Sequence, residues 1–292
     1  MTLISVIIPV YNGMDVIGPC LDSLKSHGSQ YELEIIAVDD CSLDGSCEFL
    51  ISKYPGLTIL RNDINRGYAV SVNRGINRSH GEYILLLNQD TEVKNGAIGI
   101  LTKKLLSDPC LAAVAPRLLN PDGTPQKSIR RFPKHSDIIY HHLGLTSLFP
   151  KNPHFNRWKM ADFDYNTESH VEQPAFSAVL IRRTAVDQIG LLDPEYPLFF
   201  NDVDYCKRLL DAGWRILYAP VAEVVHHGGQ AVRQQPIISI YTSHAAFVRY
   251  LRQYHKGIKY LVSNLICTLL LVLSSHLRAV YRLLRRCFIS KP

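Results

Sequence analysis

The sequence predicts an α/β fold, with a mostly parallel central sheet flanked by helices and a C-terminal helical, amphipathic tail. Three observations carry that expectation. Apolar runs of strand length alternate with helix-length segments through most of the chain, the pattern of a parallel, doubly wound sheet. Run after run ends in an acid or an amide, at Asn12, Asp39, Asn65, Asn88 and Asp90. Charge is also divided along the chain. All 26 Asp and Glu lie at or before Glu223, and ten Lys or Arg follow it. The first 223 residues thus hold 22 basic against 26 acidic residues. Such a split suggests an acidic body and a tail that faces an anionic surface.

The elements follow in order. Ile4 to Pro9 reads as a buried strand closed by the turn Val10-Tyr11-Asn12-Gly13. It lacks the basic flank of a signal peptide. Met14 to Leu24 has helical spacing, and Leu33 to Val38 is a second strand ending at Asp39-Asp40. Ser42-Leu43-Asp44-Gly45-Ser46 offers capping residues for a helix reaching about Tyr54. Leu57–Leu60 reads as a strand, Gly67 to Ile76 as a helix, Ala97–Leu106 as a helix and Leu111–Ala115 as a strand.

Between these lies Tyr83-Ile84-Leu85-Leu86-Leu87-Asn88-Gln89-Asp90. Its apolar run suits a central strand buried on both faces. On a still-extended chain Asn88 and Asp90 point the same way, as two oxygen ligands for a hard divalent cation. The alternative is a strand running into an Asx-type turn.

Asn120 to Val171 is irregular and proline-rich, a long excursion over the sheet. Arg130, Arg131, His141 and His142 within it read individually as solvated surface residues, with contact to a phosphorylated acceptor as the alternative. Regular structure returns at Gln173. Asp202 stands at the start of a helix in Leu198-Phe199-Phe200-Asn201-Asp202-Val203-Asp204, either facing a cleft or acting as a simple N-cap. Asp204 and Arg208 have ion-pair spacing. Trp214–Tyr218 and Ala222–Val225 read as two short strands, closed by His226-His227.

Several classes are excluded. No G-x-G-x-x-G follows the first strand and no P-loop motif occurs. The seven cysteines are scattered without a C-x-x-C pair, so neither a disulfide framework nor a zinc site is suggested, and a reducing compartment is expected.

Taken together the motifs resemble glycosyltransferase family 2. The blocks are Pro9-Val10-Tyr11-Asn12, Val38 to Ser46, Asn65-Arg66-Gly67 with Asn73-Arg74-Gly75, Leu87-Asn88-Gln89-Asp90, Phe200 to Asp204, and Tyr218-Ala219-Pro220 leading to His226. They stand in family order from Ile4 to Gln230, and most resemble bacterial rhamnosyltransferases of cell-surface polysaccharide synthesis. The resemblance implies a GT-A fold over residues 1–235, with a nucleotide-binding half at 1–117, an acceptor-binding half at 118–235, and a separate tail at 236–292. It implies that Asp39 accepts a hydrogen bond from a pyrimidine ring. Pro9, Tyr11 and Asn12 would lie beneath the nucleoside, with Asn65, Gly67, Asn73 and Asn88 completing the nucleotide-sugar site. Asp90 and His226 would hold Mg2+ or Mn2+, and Asp202 would be the general base of an inverting transfer. Two departures stand out: Asn88 replaces the first acid of the metal motif, and Asn201 stands where many members carry Glu.

The implied activity is transfer of L-rhamnose from dTDP-rhamnose to a polyprenyl-diphosphate-linked or glycan acceptor. The alternatives are a UDP-hexose or UDP-N-acetylhexosamine donor, or a non-catalytic nucleotide-sugar-binding module; no nucleic acid is expected. His154-Phe155-Asn156-Arg157-Trp158 approaches the Q-x-x-R-W of processive synthases but lacks the Gln and precedes Asp202, which favours one sugar per encounter. Tyr260 to Leu277 contains no Lys, Arg, Asp or Glu, though polar residues including His276 interrupt it, and it is flanked by basic ones. Helices lying in the membrane interface are therefore expected, with a single short span and a partner-binding helical pair as alternatives. The location implied is cytoplasmic, peripheral at the inner face of the cell membrane.

Overall fold

A computed structural model describes residues 2–26, 31–229 and 233–289, with side chains to 285. Gln230, named above, and two of the ten basic residues after Glu223, Lys291 and the side chain of Arg286, lie outside the described set. The strands are β1 (Leu3–Val10), β2 (Glu32–Asp39), β3 (Thr58–Arg61), β4 (Tyr83–Leu87), β5 (Thr91–Val93), β6 (Leu111–Leu119), β7 (Ile129–Arg130), β8 (Ser169–His170), β9 (Gln173–Pro174), β10 (Ala178–Arg182) and β11 (Arg215–His226). The helices are α1 (Ile17–Ser26), α2 (Ser46–Lys53), α3 (Tyr68–Arg78), α4 (Ala97–Ser107), α5 (His135–His142), α6 (Leu145–Leu148), α7 (Arg183–Ile189), α8 (Asn201–Asp211), α9 (Pro236–Tyr254) and α10 (Leu261–Ile289). The chain divides into two compact units. One comprises residues 1–130, 163–197 and 201–228, and the other 131–162, 198–200 and 229–292.

The first unit is built on one sheet in the order β3-β2-β1-β4-β10-β6-β11-β5, with β8 on β11. β1 pairs in parallel with β2 and β4, and β2 with β3. Their carboxyl ends therefore share one edge, where ligands of open α/β sheets bind. β10 runs antiparallel between β4 and β6, while β6 and β11 are parallel. The apolar run of β4 is buried at every position, Tyr83 to Leu87, as a strand covered on both faces must be. Ile4, Val6 and Ile8 pack one face with Leu21, Leu85 and Leu180. On α3, a Cβ at Gly75 would lie 2.4 Å from a methyl of Ile7, so glycine lets that helix close on the sheet.

Two local expectations change. β4 ends at Leu87 and residues 89–90 form a turn, so the extended-chain argument for Asn88 and Asp90 fails. The Thr91 hydroxyl donates to the Asn88 carbonyl and helps close that turn. The two short strands at 214–225 are one strand, β11, whose register on β6 shifts between Ala219 and Glu223. Pro220, which has no N–H for a ladder, lies inside the shift.

The second unit is helical. α9 and α10 form its longest elements, and His135 of α5 bonds Asn264 of α10 at 2.7 Å. His141 and His142 are half-buried here rather than solvated, because α5 packs on α10 instead of forming a loop. Arg157, from the R-W pair, bonds Asp137 at 2.8 Å and the Phe132 carbonyl at 2.6 Å. Among the described residues one helical segment, Ile258–Arg285, is long and apolar enough to cross a membrane, and it exposes Leu261, Val262, Leu265, Leu269, Leu273 and Leu277.

Candidate functional site

The carboxyl edge of β1, β2 and β4 is cross-tied by side chains that meet backbone. Asn12 adopts φ 45; its amide donates to the Ser42 hydroxyl, and its side-chain oxygen accepts from Leu43 N. The Gln89 carboxamide pairs with both backbone atoms of Tyr11, at 2.9 and 3.0 Å. A Cβ at Gly13 would lie 2.3 Å from Gln89 Oε1, so the same clamp requires glycine there. Pro9 sits within β1 opposite Val38.

Asp39 closes β2 and is fully buried. Its Oδ2 accepts from Ser42 N at 3.2 Å and lies 3.8 Å from Arg61 Nε, whereas Oδ1 has no partner among the described residues. An orphaned buried carboxylate oxygen costs roughly 1–3 kcal/mol or more. A ligand N–H arriving at this edge would remove that cost. Asp40 is committed inward. It accepts from Asn62 Nδ2 at 2.7 Å and from the amides of Arg66 and Gly67 at 2.8 Å each. Asn65 Oδ1 also accepts from Gly67 N, at 3.2 Å. Asn73 bonds both the carbonyl and amide of Leu192, at 2.7 and 2.9 Å, so its carboxamide braces that segment.

Asp90 and His226 meet through strand pairing. β5 runs antiparallel to β11 with Thr91 opposite His226, and His227 N donates to the Asp90 carbonyl. Asp90 Oδ1 lies 3.5 Å from His226 Nε2. The hydrogen-bond pattern fixes the imidazole. Gln126 Nε2 donates to the His226 carbonyl at 2.6 Å, which turns Gln126 Oε1 toward Nδ1 at 2.9 Å. Nδ1 must then carry the proton, leaving the Nε2 lone pair facing a carboxylate oxygen. Two acceptors at that distance repel unless a cation or a proton lies between them. Asn88 stands two residues away, its amide held by the Ser177 carbonyl. No group of three or more His, Cys, Asp or Glu suited to a metal occurs among the described residues. Asp90 and His226 are thus the two residues here that could hold a cation. His227, exposed, pairs instead with Glu92 at 2.6 Å.

Asp202 lies in the first turn of α8, which bears Asp204 bonded to Arg208 at 2.9 Å as its spacing implies. Asp202 Oδ1 accepts from Val203 N at 2.8 Å, and Oδ2 accepts from Gln173 Nε2 at 2.9 Å. Gln173 is opposite Arg130 in the small β7–β9 sheet. Burial pushes the Asp202 carboxyl up to about 6, against hydrogen bonds and the Arg130 charge, which lower it. Arg130 is therefore half-buried beside a carboxylate, not a solvated loop residue, and burial lowers its own pKa. Tyr68, whose hydroxyl donates to the Phe176 carbonyl, feels the Asp202 charge as well. Through Phe176, Ser177 and Asn88, this connects the Asp202 region to the end of β4.

Four contributors have no local signal in the sequence. Gln89 and Asp40 lie inside recognised blocks, but their inward contacts depend on which way each turn folds. Gln126 and Gln173 are single amides outside every block, and only the β-pairing brings them to His226 and Asp202.

The model for the family described as glycosyl transferase family 2 matches residues 5–186. An N-acetylglucosaminyl-diphospho-decaprenol L-rhamnosyltransferase of Mycobacterium tuberculosis is 28% identical over 245 residues, covering 80% of this chain and 78% of that protein. Among solved structures, GalNAc-T7 with UDP, GalNAc and Mn2+ is similar at TM-score 0.58 and 18% identity, over 77% of this chain and 43% of that one. S. aureus TarS 1–349 is similar at TM-score 0.54 and 17% identity, over 86% and 66%. The structural likenesses are those of a GT-A fold. With the family model spanning more than half its length, this chain belongs to glycosyl transferase family 2 and is a glycosyltransferase.

Proposed function

We propose that the protein is an inverting, metal-dependent transferase that moves L-rhamnose from dTDP-rhamnose to a polyprenyl-diphosphate-linked acceptor. The observation that carries the site reading is the Asp90–His226 pair, two facing acceptors 3.5 Å apart with the imidazole tautomer set by Gln126. That donor set fits Mg2+ or Mn2+, which would stabilise the diphosphate charge that develops as the sugar leaves. Asp90 and His226 would hold the ion, with Asn88 close to the donor phosphates.

The remaining residues bind and move protons. Asp39 Oδ1 accepts the pyrimidine N–H at the end of β2. Gln89 and Asn12 hold the Pro9–Asn12 turn beneath the nucleoside. Asp40 and Asn65 shape the Gly67 loop, and Asn73 fixes the segment at Leu192. Asp202 takes the acceptor hydroxyl proton, which needs an ionised carboxylate with raised basicity. Gln173 orients that carboxylate, and Arg130 keeps it ionised near neutral pH. No enzyme nucleophile is needed, and Cys206 on the same helix is fully buried.

The mycobacterial relative is named for a rhamnosyl transfer to an N-acetylglucosaminyl-diphospho lipid, which supports the choice of donor and acceptor. The exposed apolar face of α10 and its flanking arginines support peripheral attachment at the inner membrane face. A donor panel tests the reading. With metal and a prenyl-diphosphate acceptor, dTDP-rhamnose should be consumed ahead of UDP-glucose and UDP-N-acetylglucosamine. Consumption of a UDP-sugar with none of dTDP-rhamnose would reject the rhamnose assignment.

A further inference from the structure

The helical unit is far more basic than the chain as a whole. It contains fifteen Lys and Arg against two acids, Asp137 and Asp162. Asp137 is already bonded to Arg157. Within it, basic side chains from several segments converge on His141. The Arg278 guanidinium of α10 lies 3.2 Å from His141 Nε2. The Lys159 ammonium lies 3.5 Å from Nδ1, and the Thr146 hydroxyl 3.3 Å from the same nitrogen. His142 stacks edge-on against His141 at 5.2 Å and reaches His244 of α9 at 5.8 Å.

This arrangement is mismatched in one specific way. A neutral imidazole has one N–H and one lone pair. If Nε2 accepts from Arg278, Nδ1–H donates to the Thr146 hydroxyl and the Lys159 ammonium meets no lone pair on the ring. If Nδ1 accepts from Lys159, Nε2–H faces Arg278. Either tautomer offers one lone pair to two cations. An anion with several acceptor oxygens resolves the conflict, because it can take N–H, ammonium and hydroxyl hydrogens together.

We propose that His141, Lys159, Arg278 and Thr146 form a phosphate-ester site in the helical unit, and that its ligand is the diphosphate of the lipid-linked acceptor. The identity of the ligand rests on the lipid-acceptor reading above; the site itself does not. Two further facts agree with it. Burial, followed by Lys159, Arg278 and His244, holds His141 down at about 4, and burial with His141, His244 and Arg278 does the same for His142. Both rings are thus neutral at pH 7, and an anion placed beside them raises their pKa values. Arg278 is exposed, so the cluster is open to a ligand from outside.

The test uses the full chain with labelled histidines, saturated with dTDP and Mg2+ to fill the nucleotide site, and titrated with inorganic pyrophosphate. The His141 and His142 imidazole signals should shift, with apparent pKa values rising by at least about one unit. Lys159→Gln and Arg278→Gln should each weaken pyrophosphate binding about tenfold. Arg278→Lys should recover part of that loss, and dTDP binding should be unchanged in all three. A silent His141, or wild-type affinity in both glutamine variants, would overturn the site. Neutral vesicles doped with a prenyl diphosphate should shift His141, whereas vesicles of equal charge doped with phosphatidylglycerol should not. Equal shifts from both would overturn the acceptor assignment in favour of a bilayer headgroup. Sugar transfer with a silent His141 rejects this site and keeps the proposed function. Pyrophosphate binding without sugar transfer does the reverse.

Discussion

Replacing Asp202 by asparagine should disable the protein while making it more stable, and the stability gain should depend on pH. Burial raises the carboxyl from its usual 3.8 to about 6. A tenfold change in acidity corresponds to about 1.4 kcal/mol, so ionised Asp202 costs the folded state at most about 3 kcal/mol. The sign follows from linkage. The cost is fully present above pH 6, where folded and unfolded chains are both ionised, and it vanishes below about pH 4, where both are protonated. Asparagine keeps the acceptor for Val203 N but turns an N–H toward Gln173 Nε2 unless Gln173 flips, which reduces the gain to about 1–2 kcal/mol. For a chain of this size that is a rise in Tm of about 2–5 °C at pH 8, and a small fall at about pH 4, where only the mismatch with Gln173 remains. Turnover should fall by about 10²–10⁴, while dTDP binding is retained. In the unaltered protein, kcat/KM for acceptor should fall below about pH 6 as the base is protonated. Calorimetry at the two pH values and a transfer assay decide it. A lower Tm at pH 8 would mean that Asp202 is chiefly a helix cap, and unchanged turnover would remove it as the base.

Other outcomes are expected together. Gln126→Leu frees the His226 tautomer and should raise the metal concentration needed for half-maximal activity about 10–100-fold; an unchanged midpoint would reject Gln126 as the orienting group. Asp40→Asn leaves one oxygen for three donors, and should cost about 2–3 kcal/mol of stability and raise the KM for donor; chemical denaturation and donor kinetics check both. Arg282→Gln with Arg285→Gln should weaken binding to anionic vesicles by about 1 kcal/mol per residue; sedimentation with vesicles measures it, and unaltered binding would place the contact elsewhere.

The sheet was legible because its strands are short, apolar and separated by helix-length segments. β4, buried at all five positions, is the plainest case. What the sequence obscured were features set by contacts distant along the chain. Pro220 made one bulged strand read as two. The turn after Leu87 sends Gln89 to Tyr11 and brings Asp90 beside His226, which local alternation could not express. Arg130 read as solvated because its neighbours are prolines and charges, yet β7 pairs it with Gln173 beside Asp202. The recognised blocks located Asp39, Asp90, Asp202 and His226 on this chain. The amides that orient them, Gln126 and Gln173, act across 100 and 29 residues and leave no local signature.

The central claim is tested most directly by incubating the full chain with dTDP-L-rhamnose, Mn2+ and an N-acetylglucosaminyl-diphospho-prenol, and following the lipid product by mass spectrometry. One added deoxyhexose per acceptor, of inverted anomeric configuration, lost on chelation and in Asp202→Asn, is the expected result. An unmodified acceptor with dTDP-rhamnose, alongside transfer from a UDP-hexose or transfer that survives chelation, would contradict it.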